Sequence, residues 1–181
     1  MKLRPFNHTV SILAFKKEKE IYAATYAWFM QVGEEQVVGL LGDQSVTTHN
    51  LKVGDYCGIS VCSKEQKDVA VYIGDTHSNE VDKLLGLPYF VDSTGAITLK
   101  GSKATMIAKV VDIKDVRGKK IATLLGSIYN TNPTLNKKNP PIEVISMGGV
   151  QQEYKDLDFG GYTCIESDYL YRNFSGRLAK D

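Results

Sequence analysis

The chain has 181 residues, of which 43% are hydrophobic and 24% charged, which is typical of an ordinary globular domain and excludes a disordered or fibrous chain. Its 22 basic and 21 acidic side chains leave a net charge of +1, so electrostatics give no reason to expect nucleic acid or a membrane surface as partner. No segment approaches the roughly 20 apolar residues of a membrane span, and we expect one cytoplasmic domain over residues 1–181.

Segments rich in β-branched and aromatic residues recur along the chain and predict a β-dominated fold. The predicted strands are residues 9–15, 22–31, 36–41, 56–61, 104–113 and 119–130. Gly33 predicts a hairpin between the second and third of these strands, and glycine-containing turns at residues 92–95 and 116–119 predict two more hairpins. Many strands with few helices fit a closed or nearly closed barrel.

Helical signals are few and short. The predicted helices are residues 47–53, 64–73 and 79–85, and the last of them opens with Asn79 as a cap and ends before Gly86. Residues 131–141 are rich in Asn, Pro and Lys, which is typical of a loop. The tyrosine-rich residues 154–181 show no clear period, and we expect them to form an extension that packs on a partner subunit.

Two neighbouring segments form the candidate binding site. In the first, small side chains and free backbone polar groups allow a flat ring system to lie close to the main chain. In the second, an amide and several hydroxyls precede a predicted helix, where backbone N–H groups are free for an anion. Together they predict a site for a flat aromatic cofactor that carries a phosphate. The candidate residues are Thr25, Tyr26, Ala27 and Trp28 in the first segment and Gln44, Ser45, Thr47 and Thr48 in the second.

Each segment also has a plainer interpretation. Tyr26 and Trp28 can simply alternate across a half-buried sheet. The polar turn can be an ordinary helix cap with solvated hydroxyls. The order of the two segments along the chain favours the cofactor site over these alternatives.

In this order the segments resemble the flavin-reductase-like family of FMN-binding split barrels. The resemblance continues through Gly54-Asp55-Tyr56 and through an Asp82-Lys83 segment, and it covers roughly residues 6–154. The chain departs from the family pattern at Gln44, where such proteins often have Arg, so that a neutral hydrogen bond replaces a charge-assisted one. It also has residues 33–35 in place of an Asp-Pro-Pro turn.

The resemblance implies a homodimer of split β-barrels of Greek-key type, with the ring of FMN along residues 25–28 and its phosphate at residues 44–48. It implies an NAD(P)H:flavin oxidoreductase, in which hydride passes from NADH or NADPH to FMN and electrons leave to an acceptor. His77 lies where relatives often approach the flavin or the nicotinamide, which makes it the candidate catalytic residue. Two alternatives stay open: an FMN-binding electron carrier without nicotinamide activity, and a flavin-less barrel that acts as an interaction module.

Other kinds of site lack support in the sequence. The three histidines show neither ligand spacing nor an accompanying acidic cluster, so no metal site is expected. No nucleophile elbow and no dinucleotide-binding glycine fingerprint occurs. The three cysteines form no Cys-x-x-Cys pair and are predicted to be reduced, with Cys57 and Cys62 facing opposite sides of one strand.

Overall fold

The computed structural model describes residues 7–129, 142–146, 158–159 and 162–166. The predicted loop at residues 131–141 and most of the predicted extension at residues 154–181 lie outside the described residues. In chain order the elements are β1 (Asn7–Thr9), β2 (Ser11–Lys17), β3 (Glu20–Tyr26), β4 (Phe29–Gln31), β5 (Gln36–Leu41), α1 (Val46–Asn50), β6 (Tyr56–Val61), a 3₁₀ turn (Lys64–Gln66), α2 (Lys67–Asp75), β7 (Tyr89–Val91), β8 (Ile97–Leu99), β9 (Ala104–Val116), β10 (Lys119–Tyr129), β11 (Ile142–Ser146), β12 (Asp158–Phe159) and β13 (Tyr162–Glu166).

The main sheet is an antiparallel sheet of seven strands in the order β3-β2-β6-β9-β10-β5-β4. Strands β3 and β4 follow each other in the chain, separated only by Ala27 and Trp28, yet they stand at opposite edges of this sheet. The sheet must therefore curl so that its two edges approach each other, which makes it a half-barrel. The Leu40 N–H donates to the Trp28 carbonyl over 2.9 Å at this seam.

Both faces of the central strands are buried. Leu13 and Phe15 of β2 belong to a core inside the half-barrel, whereas their neighbours Ile12 and Ala14 belong to a second core on the other face of the sheet. This arrangement follows from the two-residue period of a strand. The second core is covered by α2, by Leu84 and by the β7–β8 hairpin.

Cys57 and Cys62 are both buried and belong to different cores, as expected for residues that face opposite sides of the sheet. Burial raises the pKa of the Cys57 thiol to about 12. A thiol in this environment stays protonated and unreactive at neutral pH.

The strand predictions at residues 36–41 and 56–61 agree with β5 and β6. The strand predicted at residues 22–31 is wrong as one element, because it is divided into β3 and β4 at the seam. The hairpin between β9 and β10 turns through Arg117 and Gly118, with φ of 51° and 75°. Two successive positive φ angles are typical of the tight turns that suit strand twist.

The helix predicted at residues 79–85 is wrong, since the chain forms two separate turns there. In the first turn, the Glu80 and Val81 N–H groups donate to the His77 carbonyl. In the second, the Leu85 N–H donates to the Asp82 carbonyl over 3.2 Å and the Leu87 N–H donates to the Leu84 carbonyl over 3.0 Å. The Asp82 carboxylate also accepts the Leu84 N–H at 3.0 Å, which is the local side-chain bond that competes with a helix. The other two predicted helices exist with shifted bounds, as α1 and as the 3₁₀ turn followed by α2.

Across the described residues, every helix is too short or too polar for a bilayer crossing.

Candidate functional site

A cleft of about 580 Å³ opens at the seam between the two edges of the half-barrel. This volume falls within the range of about 300 to 1,000 Å³ that is usual for small-molecule pockets. Strand β3, the turn before α1, the end of α2 and the loop after it form its walls. The cleft therefore brings together two segments that the sequence analysis had linked only by their order. The predicted residues that line it are Thr25, Tyr26, Ala27, Trp28, Gln44, Ser45, Thr47 and His77.

The strand side of the cleft is held in place from behind. The Thr25 hydroxyl donates to the Ala70 carbonyl of α2 over 2.7 Å, so it fixes the helix against β3. Ala27 and Trp28 follow the end of β3 and are half-buried. The small Ala27 side chain leaves room for a ligand to approach the main chain at the seam.

Tyr26 lines the cleft and also connects its two sides. Its side chain is buried, and its hydroxyl lies 2.7 Å from the Thr48 Oγ1 and donates to the Ser45 Oγ over 3.1 Å. Burial raises the pKa of the Tyr26 phenol above its ordinary value, which keeps it neutral and able to donate. Tyr26 thus connects the strand side of the cleft to the polar turn.

Thr48 does not line the cleft. It is 1% exposed and lies behind Tyr26. Because Tyr26 donates to Ser45, the Thr48 hydroxyl supplies the proton between Thr48 and Tyr26. We therefore correct its predicted role from contact with a ligand to support of the turn.

Ser45 ends this chain of hydrogen bonds. Its Oγ accepts the Tyr26 hydroxyl and the Thr48 N–H, the latter over 3.4 Å as the N-cap of α1. A hydroxyl that accepts two bonds still has its own proton to donate. Ser45 lines the cleft, so this proton is available to an acceptor bound there.

Ser78 fixes the opposite wall and was missed in the sequence analysis. Its hydroxyl accepts the Ala23 N–H and donates to the Ala23 carbonyl, both over 3.2 Å. It also lies 3.4 Å from the Thr47 Oγ1. Ser78 thereby joins the loop after α2 to β3 and to the polar turn. No local sequence signal distinguishes it from other loop serines.

Two lysines on the cleft wall were also missed. Lys83 is 5% exposed, and its Nζ donates to the Ile73 carbonyl over 2.7 Å. Burial lowers the pKa of Lys83 to about 8. Lys119 stands at the start of β10 and forms an ion pair of 2.7 Å with Asp43. The Asp82-Lys83 segment was a usable signal for Lys83, whereas Lys119 is 76 residues from Asp43 in the chain.

His77 and Gln44 complete the predicted set. The His77 carbonyl accepts the Glu80 and Val81 N–H groups at 3.0 and 3.2 Å, which begins the first turn after α2. Gln44 is exposed at the edge of the cleft. Among the side chains that the structure describes, no three His, Cys, Asp or Glu residues come together in a way that could hold a metal ion.

Comparison with known proteins gives one family match and a set of similar folds. The family model described as "Flavin reductase like domain" matches residues 3–142. No curated protein sequence matches the chain.

Three solved structures illustrate the fold similarity. A Streptomyces globisporus NADH:FAD oxidoreductase in complex with NAD and FAD fragments has a TM-score of 0.67 and 16% identity, over 77% of this chain and 81% of that one. Nitrilotriacetate monooxygenase component B from Mycobacterium thermoresistibile has a TM-score of 0.68 and 18% identity, over 90% and 82%. An FMN-binding protein from Thermus thermophilus has a TM-score of 0.67 and 16% identity, over 76% and 81%. These similarities show that the half-barrel has the split-barrel fold of these proteins.

Proposed function

Because the chain belongs to the flavin-reductase-like family and is an oxidoreductase of that family, we propose that it binds FMN in the cleft and reduces it with NADH or NADPH. The observation that carries this proposal is that one cleft collects the predicted ring strand and the predicted phosphate turn, including seven of the eight predicted cofactor-binding residues. FMN needs both parts, since it combines a flat ring with a terminal phosphate.

The ring side of the cleft fits an isoalloxazine. Trp28 offers the one indole of the chain, and Ala27 allows close approach to the backbone. The lining also includes Leu40, Leu41 and Ile73, which supply apolar contact. Aromatic and aliphatic lining with a few well-placed polar groups is typical of sites for flat cofactors.

The phosphate side of the cleft fits an anion. Ser45 has a proton to donate, and the buried Thr47, whose Oγ1 lies 3.4 Å from the Ser78 Oγ, joins the same wall to the loop after α2. Two cationic side chains, Lys83 and Lys119, line the cleft as well. They supply positive charge that the exposed Gln44 does not, so the absence of an arginine from the turn is compatible with phosphate binding.

A bound flavin supplies the redox chemistry, because it takes a hydride from a nicotinamide and passes electrons to an acceptor. The residues of this chain bind and orient it. Thr25 and Ser78 hold the two walls at fixed positions through backbone carbonyls. His77 stays the candidate residue on the nicotinamide side, since it lines the same cleft. One similar structure holds NAD and FAD fragments, which supports a nicotinamide as reductant and makes FAD the cofactor to test beside FMN.

The experiment is a titration of the purified protein with FMN and with FAD, followed by absorbance and by anaerobic addition of NADH or NADPH. We expect tight FMN binding and bleaching of the visible absorbance of the oxidised flavin. Ser45→Ala and Thr47→Ala should each weaken binding about 3- to 10-fold, the value of one hydrogen bond.

The outcomes separate the three hypotheses. Flavin that binds but is reduced only by dithionite would indicate an electron carrier. Absence of any flavin binding would contradict both flavin functions and leave the interaction module. Thr94→Ala provides the matched control, because its hydroxyl bonds to Asp92 in an exposed turn outside the cleft.

The homodimer and the cytoplasmic location that the resemblance and composition predict remain predictions. We propose a dimer that forms without flavin. Light scattering of the protein with and without FMN measures this directly, and a monomer under both conditions would contradict it.

A further inference from the structure

The ion pair between Lys119 and Asp43 stands at the polar end of the cleft. Lys120 pairs with Leu41 across β10 and β5, so the β9–β10 hairpin carries Lys119 to the start of the turn that follows β5. The Lys119 Nζ lies 2.7 Å from the Asp43 Oδ1. Lys119 lines the cleft together with Ser45 and Thr47. The Lys119 ammonium therefore lies beside the hydroxyls of the polar turn, although β10 is distant from that turn in the sequence.

The exposure of the ion pair allows Lys119 to exchange Asp43 for another anion. The two side chains are 45% and 39% exposed, and ion pairs with this exposure contribute little to stability because water screens them. Lys119 can therefore leave Asp43 for a second anion at small cost. A phosphate dianion carries more charge than a carboxylate and accepts several hydrogen bonds. The exchange favours phosphate when one is held by the neighbouring turn.

The Asp43 carboxylate, by contrast, disfavours the binding of a phosphate. The Lys119 ammonium, which donates to the Asp43 carboxylate, holds the pKa of that carboxyl below its ordinary value, so Asp43 is anionic at neutral pH. An anion beside the turn repels a phosphate and competes with it for Lys119. The adjacent position in the turn holds the neutral Gln44.

Lys83, the other lysine on the cleft wall, is less suited to bind a phosphate. Its Nζ is buried and already donates to the Ile73 carbonyl at the end of α2. Lys119 is the more exposed of the two lysines, and its partner is a residue of the turn itself.

We propose that Lys119 makes the cleft selective for a phosphorylated flavin, because it exchanges its partner from Asp43 to the terminal phosphate. Asp43 competes with the phosphate for Lys119 and thereby lowers the affinity for FMN. This inference rests on the proposed function, because it takes the ligand of the cleft to be a flavin.

The test compares FMN with riboflavin, which has the same ring and ribityl chain but no phosphate. Dissociation constants are measured by fluorescence titration for the wild type, Lys119→Met, Lys119→Arg and Asp43→Asn. We expect Lys119→Met to weaken FMN binding about 10-fold or more, the effect of one charge-assisted bond, and to leave riboflavin binding within about 2-fold. Lys119→Arg should retain FMN affinity, and Asp43→Asn should increase it.

Lys114→Met is the matched control. Lys114 lies on the neighbouring strand β9, pairs with Asp112 at 3.2 Å, and does not line the cleft. Lys114→Met removes the same charge from the protein, so a difference in FMN affinity between the two variants is due to the position of the charge. Thermal unfolding of each variant verifies that the fold is retained.

Two results would overturn the inference while the proposed function stands. One is an equal effect of Lys119→Met and Lys114→Met on FMN binding. The other is loss of FMN binding in Asp43→Asn, which would mean that the pair only holds the turn in shape. A wild type that binds neither FMN nor riboflavin refutes the proposed function itself, and the inference with it.

Discussion

The Tyr26 hydroxyl lies 2.7 Å from the Thr48 Oγ1 and donates to the Ser45 Oγ over 3.1 Å, so one buried side chain of β3 connects to both ends of the first turn of α1. The strand and the turn that form the two sides of the cleft are thereby fixed relative to each other. A ligand that contacts both sides meets a preorganised site, which reduces the cost of ordering on binding.

Replacement of Tyr26 by Phe tests this connection. The ring remains in the core, but the Ser45 Oγ loses the hydrogen bond that it accepts from the Tyr26 hydroxyl. We expect FMN affinity to fall about 3- to 10-fold, the value of one hydrogen bond. Tyr22→Phe is the control, since Tyr22 is on the same strand and stacks on Phe15 at 5.1 Å. Equal affinities in the two variants would contradict the role of Tyr26.

Trp28 provides an intrinsic probe of the cleft. It is the one tryptophan of the chain and lines the proposed ring site. We expect FMN to quench its emission strongly, because an indole in contact with a flavin ring transfers its excitation to it. The measurement is a fluorescence titration with excitation at a wavelength specific for tryptophan, and Trp28→Phe should abolish the signal. FMN that binds by absorbance without any change in emission would place the ring elsewhere.

Lys83 predicts a pH dependence of stability. Its pKa in the folded protein is about 8, against an ordinary value of 10.5. Between these pH values the unfolded chain holds a proton that the folded protein has released, so stability rises with pH through this window. The melting temperature of the wild type relative to Lys83→Met should therefore increase from pH 8 toward pH 10.5.

Lys100→Met serves as the control for this series, since Lys100 is exposed and lies in the turn after β8. It should follow the wild type at every pH. A parallel course of the Lys83→Met and wild-type curves would show that burial does not destabilise the charged lysine. A phosphate anion close to the Lys83 amine would raise its pKa toward the ordinary value, so bound FMN would then reduce the change in melting temperature with pH.

Gly58 tests the packing of the β7–β8 hairpin on the main sheet. A Cβ at Gly58 would collide with the Ile97 carbonyl, which belongs to backbone and cannot turn away as a side chain can. We expect Gly58→Ala to destabilise the protein by about 3 kcal/mol, at the upper end of overpacking effects. Chemical denaturation measures it. Gly33→Ala meets only ordinary contact with Gln36 and should change stability by less than about 0.5 kcal/mol.

Local patterns in the sequence were sufficient for much of the fold. Strands β5 and β6 agree with their predicted bounds, because short runs of β-branched and apolar residues bounded by turn residues are a local property of the sequence. The predicted helix at residues 79–85 fails for an equally local reason, since Asp82 bonds to the Leu84 N–H and stops a helix from forming. A carboxylate that favours a helix start also favours a turn.

The predicted strand at residues 22–31 fails for a reason that is not local. Nothing in its composition marks the break at Ala27 and Trp28, because the break arises where the curled sheet brings its two edges together. The same closure creates the cleft. Residues 25–28 could be assigned to a binding site from their small side chains, but the reason why they face a cleft lies in the curl of the whole sheet.

The sequence by itself determined the β-dominated class, the family resemblance and the two segments of the site that lie close together in the chain. The tertiary structure alone decided that the Tyr26 hydroxyl joins Ser45 to the buried Thr48 and that Ser78, Lys83 and Lys119 line the same cleft as the two segments. The physical reason is that strand period and capping depend on neighbours in sequence. Contact between Lys119 and Asp43, by contrast, depends on which strands pair when the sheet curls.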